Sequence, residues 1–570
     1  MRNAEIANAF EELASLYELD GAVVYRVVAY RNAATAIREA GVSVAELARQ
    51  GRVEELAGVG KTIAEKIDTL LEQGSIPSAD KLKARIPSGL IEVTRIPGLG
   101  PKRARLLNEH LGVTSLEELR AAAESGQLKD VPGFGAKAEE NVRLALAQGA
   151  DGRPKSRLLL SHALEVGEAL VDALREHPAA VRVELAGSAR RMADTVKDLD
   201  IVAASSDPRA LAEAFCALPL LEEAQSPGEA GARGLTHHDL PVDLRIVPEQ
   251  SFGNLLQHFT GSGRHNEALR TAAVKRGQHV SEYGVAEDGT THAYATEEEV
   301  YALLGMDYIE PELRENRGEL EAAREHALPE LVRLEDLRGD LHSHTTASDG
   351  RNSISQMAAT ASERGYEYLA ITDHSASHGF GNDVQPAELR RQIERIRALD
   401  APVEVLAGSE VNVLPDGTLD YEDDLLGELD WVVASLHSSF RMSEREMTDR
   451  VVRAMEHPLV DAIGHPTGRL IGRREPYALD VDRVIEAAAR TGTFLEINAN
   501  PNRRDLPDTL ARAAAEAGVT IVIDSDAHGV ETLEKIRFGV ATARRAWLSA
   551  SQVANARPWS ELNRLRKTPR

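Results

Sequence analysis

The stretch GDLHSHTTASDG, Gly339 to Gly350, sets His342 and His344 two residues apart and follows them with Asp349. On a β-strand, residues i and i+2 point to the same face, so both imidazoles can aim at one point. A metal ion needs that geometry, but simple alternation also produces it. The chain repeats the offer with His374 in TDHS, Glu410 in GSEVN, His437 in SLHS, His465 in GHP, and Asp526 with His528 in SDAH. Each stands at the end of an apolar, strand-like run. Nine ligand-type residues so placed point to a metal centre rather than to nine satisfied polar side chains. Imidazole mixed with carboxylate suits Zn, Mn or Fe better than Mg or Ca, and nine ligands suffice for two or three ions. The single cysteine, Cys216, takes no part, so this is not a structural zinc knuckle. A bridging carboxylate such as Glu410, with metal-bound hydroxide, suits phosphoester hydrolysis.

A second constellation lies upstream. In VKDLDIVAAS, Asp198 and Asp200 share one face of a strand, and PVDLRIVP supplies Asp243 from another. Two anions on one face repel unless a cation sits between them. Three carboxylates on adjacent strands can hold two divalent ions for in-line phosphoryl transfer. The apolar flanks, Leu199 with Ile201 and Val242 with Leu244, argue against plain exposed strand carboxylates.

The elements that must position these residues differ along the chain. The first 150 residues carry three similar segments, LAGVGKTIAEKI, IPGLGPKRARLL and VPGFGAKAEENV. Each places an apolar residue and a G-x-G loop before a helical run: Gly58 and Gly60, Gly98 and Gly100, Gly133 and Gly135. Glycine permits a close approach to another backbone, and the helix that follows offers unpaired N–H groups to phosphate. Contacts of this kind position a protein on DNA without reading its sequence. From about residue 337 onward, apolar strand-like runs alternate with helical runs. That alternation implies an α/β barrel-like domain with its chemistry at the C-terminal ends of the strands.

Bulk properties set limits. A length of 570 residues allows about three to five domains. One cysteine excludes an internal disulfide framework and fits a reducing cytoplasm. No run of 18 apolar residues occurs and the N-terminal stretch has no apolar leader core, so no membrane partner and a cytoplasmic location are expected. The net charge of −25 is unevenly spread: −2 over residues 1–150, −14 over 151–335 and −9 over the rest. Nucleic-acid binding must therefore rest on local donors, not on a basic sheath.

The three G-x-G segments resemble helix-hairpin-helix motifs, and GVGKTIAEKIDTLLEQG resembles the small lyase domain of family X DNA polymerases. There the lysine matching Lys66 forms a Schiff base with an abasic sugar; Thr62 and Arg26 stand where relatives often place lysines. GSARR with KDLD resembles the nucleotidyltransferase superfamily, and HFTGSGRHNEALR with SEYG looks like the palm–thumb junction of family X polymerases. The resemblance implies that Asp198, Asp200 and Asp243 bind catalytic Mn²⁺ or Mg²⁺. It implies that Gly187, Ser188 and Arg191 hold the triphosphate of a dNTP, that His258, Phe259 and Gly261 line the sugar pocket, and that Asn266 and Arg270 face the base-pair minor groove. His258 replaces the usual tyrosine, Pro241 stands where some relatives carry an arginine that orients the third aspartate, and Ser281 replaces a common asparagine.

The C-terminal ligand pattern resembles the PHP (polymerase and histidinol phosphatase) family, a distorted (β/α)7 barrel with a site for two or three Mn²⁺, Zn²⁺ or Fe ions. Joined, the parts look like the bacterial family X polymerases. The implied enzyme is a gap-filling DNA repair polymerase, expected to be monomeric. It would act on gapped or nicked DNA with a metal-dependent 3′-5′ exonuclease, and some members add abasic-site endonuclease activity. The implied fold is multidomain. It comprises a lyase-like helical domain over 1–88, a fingers-like helix-hairpin-helix domain over 89–150 and an α+β nucleotidyltransferase palm over 151–260. A thumb over 261–324, a linker over 325–336 and the PHP domain over 337–570 follow. Two other readings remain: a small-molecule phosphoesterase, and a PHP nuclease or phosphoesterase on a DNA-binding scaffold with weak or lost polymerase activity.

Overall fold

The computed structural model describes residues 1–569 except 39, 57, 95, 97–98, 148–156, 226 and 380–382. The chain divides into two compact units. One comprises Met1–Leu158, His162–Leu185 and Thr195–Phe252, and the other Leu159–Ser161, Ala186–Asp194 and Gly253–Arg570.

The first unit begins with helices around a single apolar core, among them α1 (Asn3–Leu19), α2 (Val24–Arg38), α3 (Lys61–Gln73), α4 (Pro77–Lys83) and α5 (Pro101–Leu111). Helix α3 shows why these runs are helical. Ile63, Ala64, Ile67 and Leu70 recur with the spacing of one helical face and are buried. Gly60 precedes its first residue, and Gly74, at φ +74°, ends it in the left-handed conformation that a side chain would oppose. The same unit holds a five-stranded sheet of β1 (Ala180–Leu185), β2 (Leu199–Ser205), β3 (Leu221–Ala224), β4 (Gly231–Thr236) and β5 (Pro241–Val247), in the order β1-β2-β5-β4-β3. Strands β2 and β5 run parallel with Asp200 opposite Asp243. Leu199, Ile201, Leu244 and Ile246 are buried on the opposite face or at the sheet centre, which fixes the register.

The second unit contains a seven-stranded, all-parallel sheet: β6 (Gly339–Asp340), β7 (Tyr368–Ile371), β8 (Glu404–Asn412), β9 (Trp431–Ser435), β10 (Ala462–Ile463), β11 (Phe494–Asn498) and β12 (Ile521–Asp524), in sequential order. A parallel bridge between Ser343 and Ala527, just beyond β6 and β12, brings the first and last strands together into a nearly closed barrel. The strands are buried on both faces, as parallel strands wrapped by helices must be. Tyr368, Ala370, Leu406, Trp431, Val433, Phe494 and Val522 form one apolar cluster, while Leu369, Ile371, Val432, Ala434, Leu495 and Ile523 join the cluster that includes the surrounding helices. The residues following those of the first set with period two are Thr372 and His374, Gly408 and Glu410, Ser435 and His437, Glu496 and Asn498, and Asp524 and Asp526. The strand pleat therefore delivers one ligand-type residue after another to the same end.

The charged stretch around residues 319–336 reads in the sequence as a linker with little core. Instead, Leu320, Ala323 and Leu331 are buried in one apolar cluster and Val332 in the core of the barrel. Glu319 is buried as well, 2.7 Å from His265 Nδ1, while the other seven charged residues are exposed or half-buried. Four spaced apolar residues are a period too sparse to see against eight acidic and basic neighbours.

Candidate metal centres

Glu410 lies at the centre of the C-terminal cluster. Its Oε1 stands 2.9 Å from His465 Nε2 and 3.2 Å from His437 Nε2. Its Oε2 stands 2.7 Å from His374 Nδ1, 3.5 Å from His342 Nε2 and 3.7 Å from His344 Nε2. Asp526 Oδ1 is 3.2 Å from His344 Nε2, and Asp349 lies 3.5 Å from His374 Nε2 and 3.3 Å from His528 Nε2. All nine residues singled out in the sequence thus converge. They fall into three groups whose ligand atoms lie within 4.8 Å of one another: His342, His344 and Asp526; His344, Asp349, His374 and His528; and Glu410, His437 and His465.

The donor set fits metal ions on a second count. His342 Nε2, both ring nitrogens of His344 and Glu410 Oε2 are buried without a properly aligned hydrogen bond. Buried polar atoms are rarely left so, and divalent ions would meet these lone pairs. The electrostatics couple the carboxylates tightly to the imidazoles around them. Burial alone would raise the Glu410 carboxyl, but His437, His342 and His374 hold it well below the usual carboxylate range. Asp526 is likewise raised by burial and brought well below its ordinary value by His342, His344 and His528. His344, buried beside His528 and His374, is pushed down to about 4. His342, His374 and His528, by contrast, are drawn upward against burial by the carboxylates they face, Glu496, Glu410 and Asp349 among them, so these imidazoles must release protons for metal to bind. His465 (φ 31°) and Asp526 (φ 53°) take left-handed backbone conformations that non-glycine residues seldom adopt, a strain found where a site dictates the geometry.

Outer residues orient this set. Glu496 on β11 accepts from His342 Nδ1 at 2.6 Å and from the His465 backbone N–H at 2.5 Å. Asn498 Nδ2 donates to Asp526 Oδ2 at 3.0 Å. Asp373 accepts from the Thr345 N–H and hydroxyl and from Ser348, pinning the loop between His344 and Asp349. Carboxylates behind ligating histidines fix the tautomer and raise ligand basicity. Sequence reasoning missed Glu496, although a lone Glu in the apolar run TFLEINAN was a usable signal. It also missed His378, whose ring stacks on His374 at 3.6 Å.

The three aspartates of the first unit line a cleft of ≈ 470 Å³ together with Arg233, Gln225 and Glu223. Arg245 Nε is 3.1 Å from Asp243 Oδ1, and Arg233 Nε, directly across the β4–β5 pair, is 3.5 Å from Oδ2. Lys197 Nζ is 3.5 Å from Asp198. Pro241 lines the cleft but cannot orient a carboxylate; Arg245 and Arg233 occupy that role for Asp243.

Gly187, at φ +65°, opens the short helix Gly187–Arg190 that carries Ser188. Arg191 donates to the Thr260 carbonyl at 2.7 Å and lies 3.1 Å from Glu315, so its guanidinium is engaged within its own unit. Asn266 is buried, donating to the His258 carbonyl at 2.6 Å and accepting from Gln257, and Gly261 leaves no room for a Cβ against it. These bonds hold the turn that carries His258 and Phe259, whose rings are 5.5 Å apart, while Arg270 is exposed. Lys66 is half-buried on α3 with Nζ 3.4 Å from Ser78 Oγ. Gly58 (φ +83°) and Gly133 (φ +85°) turn the chain, and Gly60, Gly100 and Gly135 precede helices with open space around them. Gly98 lies outside the described residues. Among the described residues no helix is long and apolar enough to cross a membrane.

Comparison with known proteins adds four family matches: a helix-hairpin-helix domain over residues 1–76, a SAM-like helix-hairpin-helix tandem over 90–148, a DNA polymerase beta thumb over 255–315 and a PHP domain over 340–500. The DNA polymerase/3′-5′ exonuclease PolX of Bacillus subtilis (strain 168) is 38% identical over 564 residues, covering 98% of each chain. A probable phosphatase of Thermoanaerobacter sp. (strain X514) is 31% identical over 234 residues, 38% of this chain and 89% of its own length. Another from Caldanaerobacter subterraneus subsp. tengcongensis is 34% identical over 201 residues, 33% of this chain and 75% of its own. The phosphatase matches reach only a third or so of the chain, whereas similarity to the polymerase runs its length and takes in hairpins, thumb and barrel alike. The chain therefore belongs to the family X DNA polymerases that carry a C-terminal PHP domain.

Proposed function

We propose that the protein is a DNA repair enzyme with two metal-dependent activities. The Asp198/Asp200/Asp243 cleft adds nucleotides to a primer across short gaps, directed by the template. The nine-ligand centre hydrolyses nucleotides from 3′ ends. The carrying observation is that a cluster of nine ligand-type residues and a cleft lined by three aspartates occur in one chain that is similar along its whole length to a polymerase and 3′-5′ exonuclease. A small-molecule phosphoesterase has no use for the aspartate cleft or for the hairpins.

At the cleft, the carboxylates hold hard divalent ions, Mn²⁺ or Mg²⁺, and Arg245 and Arg233 fix Asp243 in the orientation that ligation requires. At the barrel mouth, imidazole with carboxylate favours Mn²⁺, Zn²⁺ or Fe. Bound ions supply Lewis acidity and an ionised water. Glu410, with the histidines around its two oxygens, would hold them, and Glu496 keeps His342 and His465 aligned. Gly60 and Gly100, directly before α3 and α5, leave those helix N-termini open to the DNA backbone. A DNA substrate is consistent with the cytoplasmic location expected from the sequence. Abasic-site lyase activity would rest on Lys66, whose Nζ lies 3.4 Å from Ser78 Oγ.

Extension of a primer on one-nucleotide-gapped DNA with Mn²⁺ tests this reading. Incorporation of the complementary nucleotide alone is expected. No incorporation by protein that still degrades 3′ ends would leave a PHP nuclease on a DNA-binding scaffold.

A further inference from the structure

The loop GSARRMAD, to which the family resemblance gives the triphosphate, is held by arginines of the barrel. Ala186–Asp194 belongs to the same compact unit as Gly253–Arg570. Arg504, after β11, is buried and donates to the Met192 carbonyl at 2.9 Å, and its Nη1 lies 3.2 Å from Asp194 Oδ1. Arg469, after β10, lies 2.9 Å from Asp194 Oδ2. Arg545, the last residue of the helix Ile536–Arg545, donates from Nη1 to the Arg191 carbonyl at 2.7 Å.

Arg545 meets Arg191 a second time, through Glu315. The same Nη1 lies 3.0 Å from Glu315 Oε1, and Arg191 Nε donates to that oxygen at 3.1 Å. One carboxylate oxygen is thus shared by two guanidiniums. The Arg545 side chain is 9% exposed, that of Arg191 12% and that of Glu315 20%, so the trio is largely out of water. A carboxylate at that depth, stripped of its only cation, is strongly destabilised. Arg545 has a second carboxylate, Asp508, 3.0 Å from its Nη2, and does not depend on Glu315 for charge balance.

An N–H given to a carboxylate is not free for phosphate. For Arg191 Nε to meet a triphosphate it must give up Glu315, and the cost of that exchange depends on which cation Glu315 keeps. We propose that Arg545, a residue of the barrel, is a positioning residue for nucleotide addition: it retains Glu315 while Arg191 turns to the triphosphate. Its bond to the Arg191 carbonyl holds the backbone in place during the exchange. Arg545 stands about 14 Å of helical rise from Ile536, the end of its helix that follows the SDAH ligands in the chain. This inference rests on the reading of the aspartate cleft as a polymerase site and of Arg191 as a triphosphate ligand.

Steady-state gap filling by the full chain, with the complementary dNTP varied, tests it alongside 3′-5′ degradation. Arg545→Gln leaves Glu315 to Arg191 alone. KM for the dNTP is expected to rise about tenfold, the worth of one charge-assisted hydrogen bond in a binding constant, with kcat and 3′-end hydrolysis unchanged. Adding Glu315→Gln to Arg545→Gln removes the competing carboxylate. KM is then expected to return to near the wild-type value, a rescue that damage to packing would not give. Glu315→Gln alone, in which Arg545 keeps Asp508, is expected to leave KM at or below wild type, whether or not Arg545→Gln folds. Three results overturn the proposal and leave the polymerase reading standing: an unchanged KM in Arg545→Gln, a KM in the double variant no lower than in Arg545→Gln, or a raised KM in Glu315→Gln. Wild-type protein that extends no primer overturns both.

Discussion

A carboxylate sunk among five imidazoles is stable only if something shares its charge, and at Glu410 the sharing is divided between its two oxygens. One faces His437 and His465, the other His342, His344 and His374. A bridging ligand requires that division. Glu496 then decides whether two of those imidazoles stay aligned, since it holds His342 by its ring and His465 by its backbone. Glu496→Gln keeps the shape and removes the charge behind His342. Manganese affinity is expected to fall by about 10–100-fold, with 3′-end hydrolysis falling alongside it and nucleotide addition unchanged. Metal titration against both activities checks this. The nine ligands were legible because each ends an apolar run with a residue that such a run does not need. Glu496 sits inside its run rather than at the end, and His378 follows a ligand by four residues in a loop, so neither stood out by spacing.

Elements carry these residues for reasons the side chains alone do not reveal. Period-two alternation in the barrel strands sends Tyr368, Ala370, Thr372 and His374 to one face, and that rule was readable from YLAITDHS. What could not be read was the pairing of distant segments, which depends on packing rather than on local pattern. Glu297, at the start of the helix Glu297–Leu303, is an example. It is buried and takes bidentate bonds from Arg190 at 3.0 and 2.7 Å and a third from Arg314 at 2.5 Å. Arg190 belongs to the GSARR motif, where the sequence suggests a phosphate ligand at its neighbour Arg191; Arg190 pairs with Glu297 and Arg191 with Glu315, both carboxylates of their own unit. Burial would raise the Glu297 carboxyl, but Arg314 and Arg190 lower it from 4.5 to about 2. The folded value is depressed, so the stabilisation is fully present above about pH 4.5 and is lost as pH falls through about 2. Glu297→Gln is expected to cost about 3 kcal/mol at pH 7, with the gap to wild type closing below pH 4.5. Denaturant unfolding of both proteins at pH 7 and at pH 3 measures it.

At the scale of the whole molecule, the proposed function assigns the chain two kinds of metal site suited to opposite reactions. The carboxylate-only cleft, flanked by Lys197, Arg233 and Arg245, suits hard ions and a triphosphate substrate. The imidazole-rich cluster suits borderline ions and hydrolysis. They draw on different strands, different motifs and different parts of the sequence, and the acidic overall charge is lightest over the hairpin segments expected to meet DNA. The organisation was legible because each part carries its own spacing signature. The segment 319–336 was not, because its four buried apolar residues are spread through a charged run. The central claim is that the two sites act independently, one extending DNA and the other degrading it. Single substitutions assayed on the same gapped and 3′-recessed DNA test it most directly. Asp198→Ala is expected to abolish nucleotide addition and leave 3′-5′ degradation at the wild-type rate, and His344→Ala to do the reverse. Loss of both activities in either folded variant would contradict two separate centres.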